Sequence, residues 1–391
     1  VAVRPLFLVA LLGCTPDDDT STPVDSDSDT DSVATAFEPA PVPALVTTTD
    51  ETQAPLYFFL FTHTEDHINH AYSEERYTRL GPVVEKLALA NPEVHMVWTL
   101  EFMGADAKTV WDRNAQTGVA TQLMGYANQG FLEFGYHVHH EPTYQNRPQI
   151  SMSVDTPWED KVDGMDTWVS CEKDPLEGGC VVPGAGGIYA LEKFGPVQIV
   201  TGLHIYSSAN IEHDASVHAS RKHLPERRIG FGYPDHGGLT TDNTYVENRD
   251  ALMVRMTPSV HTSGSLFWAD GILRINDGDL IAGAKTINTI DGVAGVDNRM
   301  AAYDRTRPHV INVGIASKYH YTASGTSPTK YGYVHREDPE LPPEWLVSDT
   351  QRNKNYAASE EAITKLVEEV IPANPGTRFV NTADVLELAV P

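Results

Sequence analysis

Leu56-Tyr-Phe-Phe-Leu-Phe-Thr62 is apolar at every position but the last. A run of strand length with no polar alternation reads as a strand buried on both faces, the usual condition of a parallel sheet. The chain that follows supports that reading. Tyr77, Leu80, Val84 and Leu87 form a helical stripe, with Gly81-Pro82 as a point of kink or restart. Asn91-Pro92 ends it, and residues 94–100 (Val-His-Met-Val-Trp-Thr-Leu) read as the next strand. A second helical span over residues 106–128 stops at Gly130 and leads into a third strand, residues 131–139. This strand alternates: Glu133, Gly135, His137 and His139 on one side, Leu132, Phe134, Tyr136 and Val138 on the other.

The far end of the chain repeats the pattern. Ile363, Leu366, Val367 and Val370 mark an amphipathic helix, then Ala373-Asn374-Pro375, a strand over residues 378–381 and a short helix from Thr382. Residues 197–204, 251–256 and 309–316 read as further core strands, and residues 264–275 fit an antiparallel hairpin. Residues 142 to 187 read as a long insertion over one face. Alternating strands and helices joined by short links define an α/β fold. The expected form is a distorted (β/α) barrel of roughly seven or eight strands, with the long insertion after the third strand. No internal repeat of solenoid length is present.

The folded domain is expected over residues 55–391, behind two segments of another kind. Arg4 precedes the apolar run Leu6 to Leu12, too short to cross a bilayer, and the run closes on Leu11-Leu12-Gly13-Cys14. A basic start, a short apolar stretch and a small residue read as an export signal. With Cys14 next, residues 1–14 resemble the lipobox of bacterial lipoproteins, which implies lipidation at Cys14 and a place in the periplasm or on the outer-membrane surface. Residues 15–50 are Asp, Ser, Thr and Pro with small apolar residues, including Asp25-Ser-Asp-Ser-Asp-Thr-Asp31. Such a segment buries too little apolar surface to fold and is held extended by its own charge, so it reads as a spacer. The membrane is then touched through the lipid only. The net charge is −26 and no basic cluster is present, which argues against a nucleic-acid partner. In an exported protein, Cys171 and Cys180 read as a disulfide closing a small loop; a two-cysteine metal site is the competing reading.

Chemistry concentrates in two tracts. Gly135-Tyr-His-Val-His-His-Glu-Pro-Thr-Tyr144 packs three imidazoles and a carboxylate into five residues at the end of a strand. Such a donor set suits a borderline divalent metal: zinc, iron or cobalt. Thr62-His-Thr-Glu-Asp-His67 puts two adjacent carboxylates between imidazoles at the end of the first strand. A metal hydrolase needs ligands and a separate base for the bound water, and Glu65 and Asp66 can divide those roles. A helix N-terminus, where acidic residues are favoured, accounts for the same pair without chemistry.

The order strand, Glu65-Asp66, helix, strand, helix, then a strand running Gly-x-His-x-x-x-Glu-Pro resembles the polysaccharide deacetylase superfamily. That resemblance spans most of residues 55–390. It implies a distorted β/α barrel and a metal-dependent carbohydrate esterase. By its first motif, an acidic pair, it implies Glu65 as general base and Asp66 as metal ligand. By its second it implies His137 as ligand, with one of His139, His140 and Glu141 completing the set. The strand at residues 309–316, followed by His320, resembles the late strand whose His protonates the leaving group. Three departures stand out. The second His of the second motif is Glu141 here, Val138 stands where a small residue is expected, and the Arg-x-Pro motif finds only Gly232-Tyr-Pro-Asp-His-Gly237.

The resemblance thus implies metal-assisted hydrolysis of an acyl bond on an acetylated polysaccharide or glycan, with zinc the first choice of divalent transition metal. Two other classes stay open. One is a barrel glycosidase using paired carboxylates from among Glu65, Asp66 and Glu133. The other is a non-catalytic surface lipoprotein that binds metal or glycan. A Gly-x-Ser-x-Gly serine hydrolase and a His-Glu-x-x-His zinc protease are excluded because neither pattern occurs.

Overall fold

The computed structural model describes residues 55–64, 70–137, 163, 171–173, 180–183, 187–201, 266–269, 272–275, 287–302, 309–315, 318–323 and 341–384. All of them lie in the unit Pro39–Pro391. The export signal, Cys14, the spacer, the strand expected at 251–256 and the Gly232–Gly237 tract lie outside the described residues. No helix among the described residues is long and apolar enough to cross a membrane.

The apolar run becomes β1 (Leu56–His63), and every residue from Leu56 to Thr62 is at most 1 % exposed. It sits centrally because it is paired on both flanks. β10 (His309–Gly314) runs parallel along one flank, Leu56 facing His309 through Phe61 facing Gly314. On the other flank, β2 (Trp98–Phe102) pairs in parallel with Leu60–His63, and β11 (Arg378–Phe379) pairs in parallel with Tyr57 and Phe58. β3 (Leu132–His137) follows β2, and β6 (Val197–Thr201) follows β3, both parallel. Beyond β10 the direction reverses. β7 (Leu266–Ala269) and β8 (Ile272–Ile275) form the expected antiparallel hairpin, and β7 pairs antiparallel to β10. The short β9 (Ile287–Asn288) also pairs with β10.

The sheet therefore runs β6-β3-β2-β1-β10-β7-β8 and is mostly parallel. Among the described strands no pairing joins β6 to β8, so the sheet is not closed. Residues 138–196 separate β3 from β6. They carry a separate antiparallel hairpin, β4 (Cys171–Lys173) with β5 (Cys180–Pro183), in which Cys171 faces Pro183 and Lys173 faces Cys180.

Alternation divides the sheet's two faces. Leu56, Phe58 and Leu60 join Trp98, Leu100 and Phe102, and Leu132, Phe134 and Tyr136, in one core with the helices. α1 (His70–Ala90) contributes the expected stripe Tyr77, Leu80, Val84 and Leu87, and it runs through Pro82 as one helix. The opposite face carries Tyr57, Phe59 and Phe61, also at most 1 % exposed, with the Phe59 and Phe61 rings stacked at 6.0 Å.

Two expectations need correction. The strand expected from residue 94 begins at Trp98, because Pro92–Val94 forms a 3-10 turn and His95 adopts a left-handed conformation at φ 51°. The single helix expected over 106–128 is three: α2 (Gly104–Asp112), α3 (Asn114–Thr117) and α4 (Val119–Asn128). Gly118, at φ 71°, takes a backbone conformation that side-chain-bearing residues avoid, and it separates α3 from α4. The remaining α-helices among the described residues are α5 (Gly187–Glu192), α6 (Gly292–Ala302) and α7 (Asp349–Lys365), the last continuing as a π turn over Leu366–Val370. α7 starts where Ser348 accepts from the Gln351 N–H, well before the apolar positions that revealed its second half.

Candidate functional site

The C-terminal ends of β1, β2 and β3 lie side by side. His63 of β1 faces Glu101 of β2, Glu101 faces Gly135 of β3, and His137 faces Thr201 of β6. The tract Thr62–His67 and the tract Gly135–Tyr144 thus leave the sheet at one edge, with a single strand between them. At about 4.8 Å per strand spacing, their exits are about 10 Å apart. This is the edge where parallel α/β folds hold ligands. Glu65, Asp66, His139, His140 and Glu141 lie outside the described residues, as do the side chains of His137, Cys171 and Cys180. Among the described residues, no group of three His, Cys, Asp or Glu stands ready to hold a metal ion.

Sequence reasoning missed Glu101. It lies between the core residues Leu100 and Phe102, so it points to the sheet's other face, and it is fully buried. Its backbone carbonyl accepts from the Thr64 N–H at 3.0 Å, and the Thr64 hydroxyl accepts from the Met103 N–H at 2.8 Å. These bonds fix the chain leaving β1 against the chain leaving β2. A carboxylate at the end of an otherwise apolar strand was the signal that could have singled it out.

Behind this edge runs a buried polar chain. Arg76 Nη2 donates to the Tyr77 hydroxyl at 2.9 Å, and that hydroxyl donates to Asp106 Oδ2 at 2.9 Å. All three residues are fully buried, and they tie the second turn of α1 to the first turn of α2. Nearby, Arg113 Nε and Nη2 donate to the two carboxylate oxygens of Glu74 at 3.0 and 3.1 Å. That pairing raises the Arg113 pKa further.

Glu133, a glycosidase candidate by sequence, sits two residues before Gly135, about 6.6 Å toward the N-terminal side of the sheet. Its Oε1 accepts from Thr99 Oγ1 at 2.6 Å, from the Thr382 N–H at 2.9 Å and from the Thr382 hydroxyl. Burial pushes its carboxyl above the usual range, and these three donors pull it back in part. The bonds anchor the turn after β11 to the sheet. Arg378 of β11 pairs with Asp384 beyond that turn through Nη1 at 2.8 Å and Nη2 at 3.3 Å.

His320, the expected general acid, is fully buried in the 3-10 turn Lys318–His320 after β10. Its Nε2 lies 2.9 Å from the Ser359 hydroxyl of α7, which in turn accepts from Thr289 Oγ1 at 3.0 Å. Its ring stacks on Tyr356 at 4.4 Å and 10°. Asn355 Nδ2 donates to the His320 carbonyl at 3.0 Å. These contacts hold the imidazole against the helix layer.

The class of protein defined so far is an α/β protein with a mostly parallel, doubly buried sheet and a polar C-terminal edge. No protein-family model matches the chain, and no curated protein matches it. Solved structures with some likeness include the 4-α-glucanotransferase of Thermococcus litoralis, at 11 % identity and TM-score 0.35, covering 86 % of this chain and 40 % of that one. A Mycobacterium smegmatis protein assigned as a polysaccharide deacetylase is similar at 10 % identity and TM-score 0.37, covering 89 % of this chain and 94 % of that one. The chain thus spans well under half the length of the glucanotransferase. Likeness at this level assigns neither a family nor a residue's role.

Proposed function

We propose that this chain is a metal-dependent hydrolase, deacetylase-like toward N- or O-acetylated glycans, carried on the cell envelope by a lipid at Cys14. The observation that supports it is the strand pairing that brings the Glu65-Asp66 tract and the His137 tract to one edge. The donor chemistry fits a borderline divalent cation such as zinc: neutral imidazole and carboxylate, delivered from two strand ends with one strand between. Asp66, His137 and one of His139, His140 and Glu141 would hold the metal. When bound, the metal supplies a water of lowered pKa and polarises the scissile carbonyl. Glu65, next to Asp66 in the sequence, would take the water's proton. His320, its ring held by the Ser359 hydroxyl and the Tyr356 ring, would protonate the departing group.

In the same reading the sheet closes into a distorted barrel through residues between β6 and β7; a Cys171–Cys180 bridge would require the β4–β5 hairpin to shift, because Cys180 faces Lys173 and Cys171 faces Pro183. The glycosidase alternative loses Glu133, whose Oε1 already serves three donors away from the edge. The test is elemental analysis of the protein purified without a tag. About one equivalent of a transition metal is expected, lost in His137→Ala. Acetate release from acetylated glycans then separates catalysis from binding. A protein that takes up no metal, even on reconstitution, overturns the proposal.

A further inference from the structure

We infer that the Ser359 hydroxyl, backed by Thr289, fixes the tautomer of His320, so that in the neutral ring Nε2 is an acceptor and Nδ1 carries the proton. Ser359 and Thr289 are then positioning residues for the proton that His320 would deliver. The catalytic half of this inference rests on the function proposed above; the tautomer itself does not.

One turn of α7 holds this imidazole in three ways. Asn355 Nδ2 donates to the His320 carbonyl at 3.0 Å and to the Tyr319 carbonyl at 3.3 Å, which fixes the backbone beneath the ring. The Tyr356 ring lies 4.4 Å from the imidazole and within 10° of parallel, and the Arg79 guanidinium, paired with Glu75 at 2.6 Å, stands over the same Tyr356 ring at 4.8 Å. Stacking sets the plane of the imidazole but not its flip, because half a turn about Cβ–Cγ keeps the plane and exchanges Nε2 with Cε1. The Ser359 hydroxyl, 2.9 Å from Nε2, selects the flip, since a ring carbon offers it no partner.

The protons then select the tautomer. His320, Ser359 and Thr289 are all fully buried, and each hydroxyl has one proton to give. Thr289 Oγ1 donates to Ser359 at 3.0 Å, and the remaining neighbour of that hydroxyl among the described residues is Nε2. With a proton on Nε2, the Ser359 oxygen would accept from both sides, and its own proton would have to turn back on the helix backbone, a poor use of a buried donor. Nε2 is therefore the acceptor. When the ring takes its second proton the pair reverses: Ser359 accepts from Nε2, its own proton turns to Thr289, and the Thr289 hydroxyl rotates aside. Two hydroxyls can thus serve both charge states of a group that gives up a proton and takes it back.

Two readouts on the full chain test the two halves separately. The first is the ring ¹⁵N spectrum of neutral His320, assigned by its loss in His320→Ala. The Nδ1–H tautomer is expected in the wild type and a mixture or the Nε2–H form in Ser359→Ala. Thr289→Val removes the donor that commits the Ser359 proton and should also give a mixture, whereas Thr289→Ser keeps that donor and the wild-type spectrum. A wild-type ring protonated at Nε2, or a spectrum unchanged in Ser359→Ala, overturns the inference. Should Ser359→Ala fail to fold, the wild-type and Thr289→Val spectra decide it. The second readout is acetate release from acetylated glycans. In Ser359→Ala kcat should fall about 10- to 100-fold with KM within about two-fold of wild type. Wild-type kcat in a variant whose tautomer is lost overturns the positioning role. A wild type that releases no acetate overturns that role together with the proposed turnover, while the ¹⁵N spectra still decide the tautomer.

Discussion

Replacing Glu133 tests the bond set that ties the end of the fold to its centre. Three donors meet at one oxygen of this side chain: the Thr99 hydroxyl, the Thr382 hydroxyl and the Thr382 N–H. In Glu133→Ala the two hydroxyls can rotate toward other acceptors, but the backbone N–H cannot. A buried donor left unmatched costs about 1–3 kcal/mol, and a loss of about 2–4 kcal/mol is expected for the whole set. Glu133→Gln keeps an oxygen at the same place and removes the buried charge, so it should stay within about 1 kcal/mol of wild type near neutral pH. Burial holds the Glu133 pKa above its unfolded value, which fixes the sign of the pH dependence. Folding then favours the protonated form. Its contribution is full below the ordinary glutamate range and is lost as pH rises through the raised value. Wild type should therefore lose stability relative to Glu133→Gln over that interval. Urea unfolding at a series of pH values reads both effects. A Glu133→Ala loss below about 1 kcal/mol, or parallel pH profiles for wild type and Glu133→Gln, would refute the reasoning.

Three further substitutions follow from the packing. Gly81→Ala adds a Cβ 2.5 Å from Tyr126 Cε2, so it should destabilise by about 1–2 kcal/mol despite the better helix propensity of alanine. Thermal unfolding reads the sign directly. Tyr77→Phe removes the hydroxyl between Arg76 and Asp106 and should cost about 1–3 kcal/mol by urea unfolding. His320→Ala loses the stack on Tyr356 and the bond to Ser359, at about 2–4 kcal/mol. Measured well below its melting temperature, that variant should keep wild-type metal content and lose turnover by about 10²- to 10⁴-fold, whereas unchanged turnover would leave His320 a structural role only.

The parts of the fold that were legible in the sequence are those where burial acts through one strand or one helix stripe. Leu56–Phe61 could be read because a strand covered on both faces admits no polar position. The hairpin at Leu266–Ile275 and the closing strand at Arg378 were marked by Gly and Pro around short apolar runs. The 94–96 stretch misled because Val94 ends a 3-10 turn set by Asn91-Pro92 and Met96 follows it, both buried from outside a strand. The first half of α7 is polar on nearly every side and is held by its cap and by contacts with other helices, so periodicity found its second half alone. At the site, the two chemical tracts were visible as composition. Glu101 was not, because its burial and its register with the ends of β1 and β3 span a distance that local sequence does not encode. The anchoring of His320 depends likewise on Tyr356 and Ser359, more than 30 residues further along.

The pairing of β1 has a kinetic consequence. The strand is the first of the fold, yet two of its partners are among the last: Leu56 faces His309 and Tyr57 faces Arg378. Closing loops of that length raises the contact order and slows the search, so the central strand has to wait for its flanks. In the meantime its fully apolar surface and unsatisfied edges form the segment most prone to pair with another chain. Because the Leu56 N–H also donates to the Thr377 hydroxyl at 2.9 Å, the two ends of the fold meet at this strand. A circular permutant that joins them through a short linker and opens the chain elsewhere would make the slowest contacts local, and it should refold faster than the natural order.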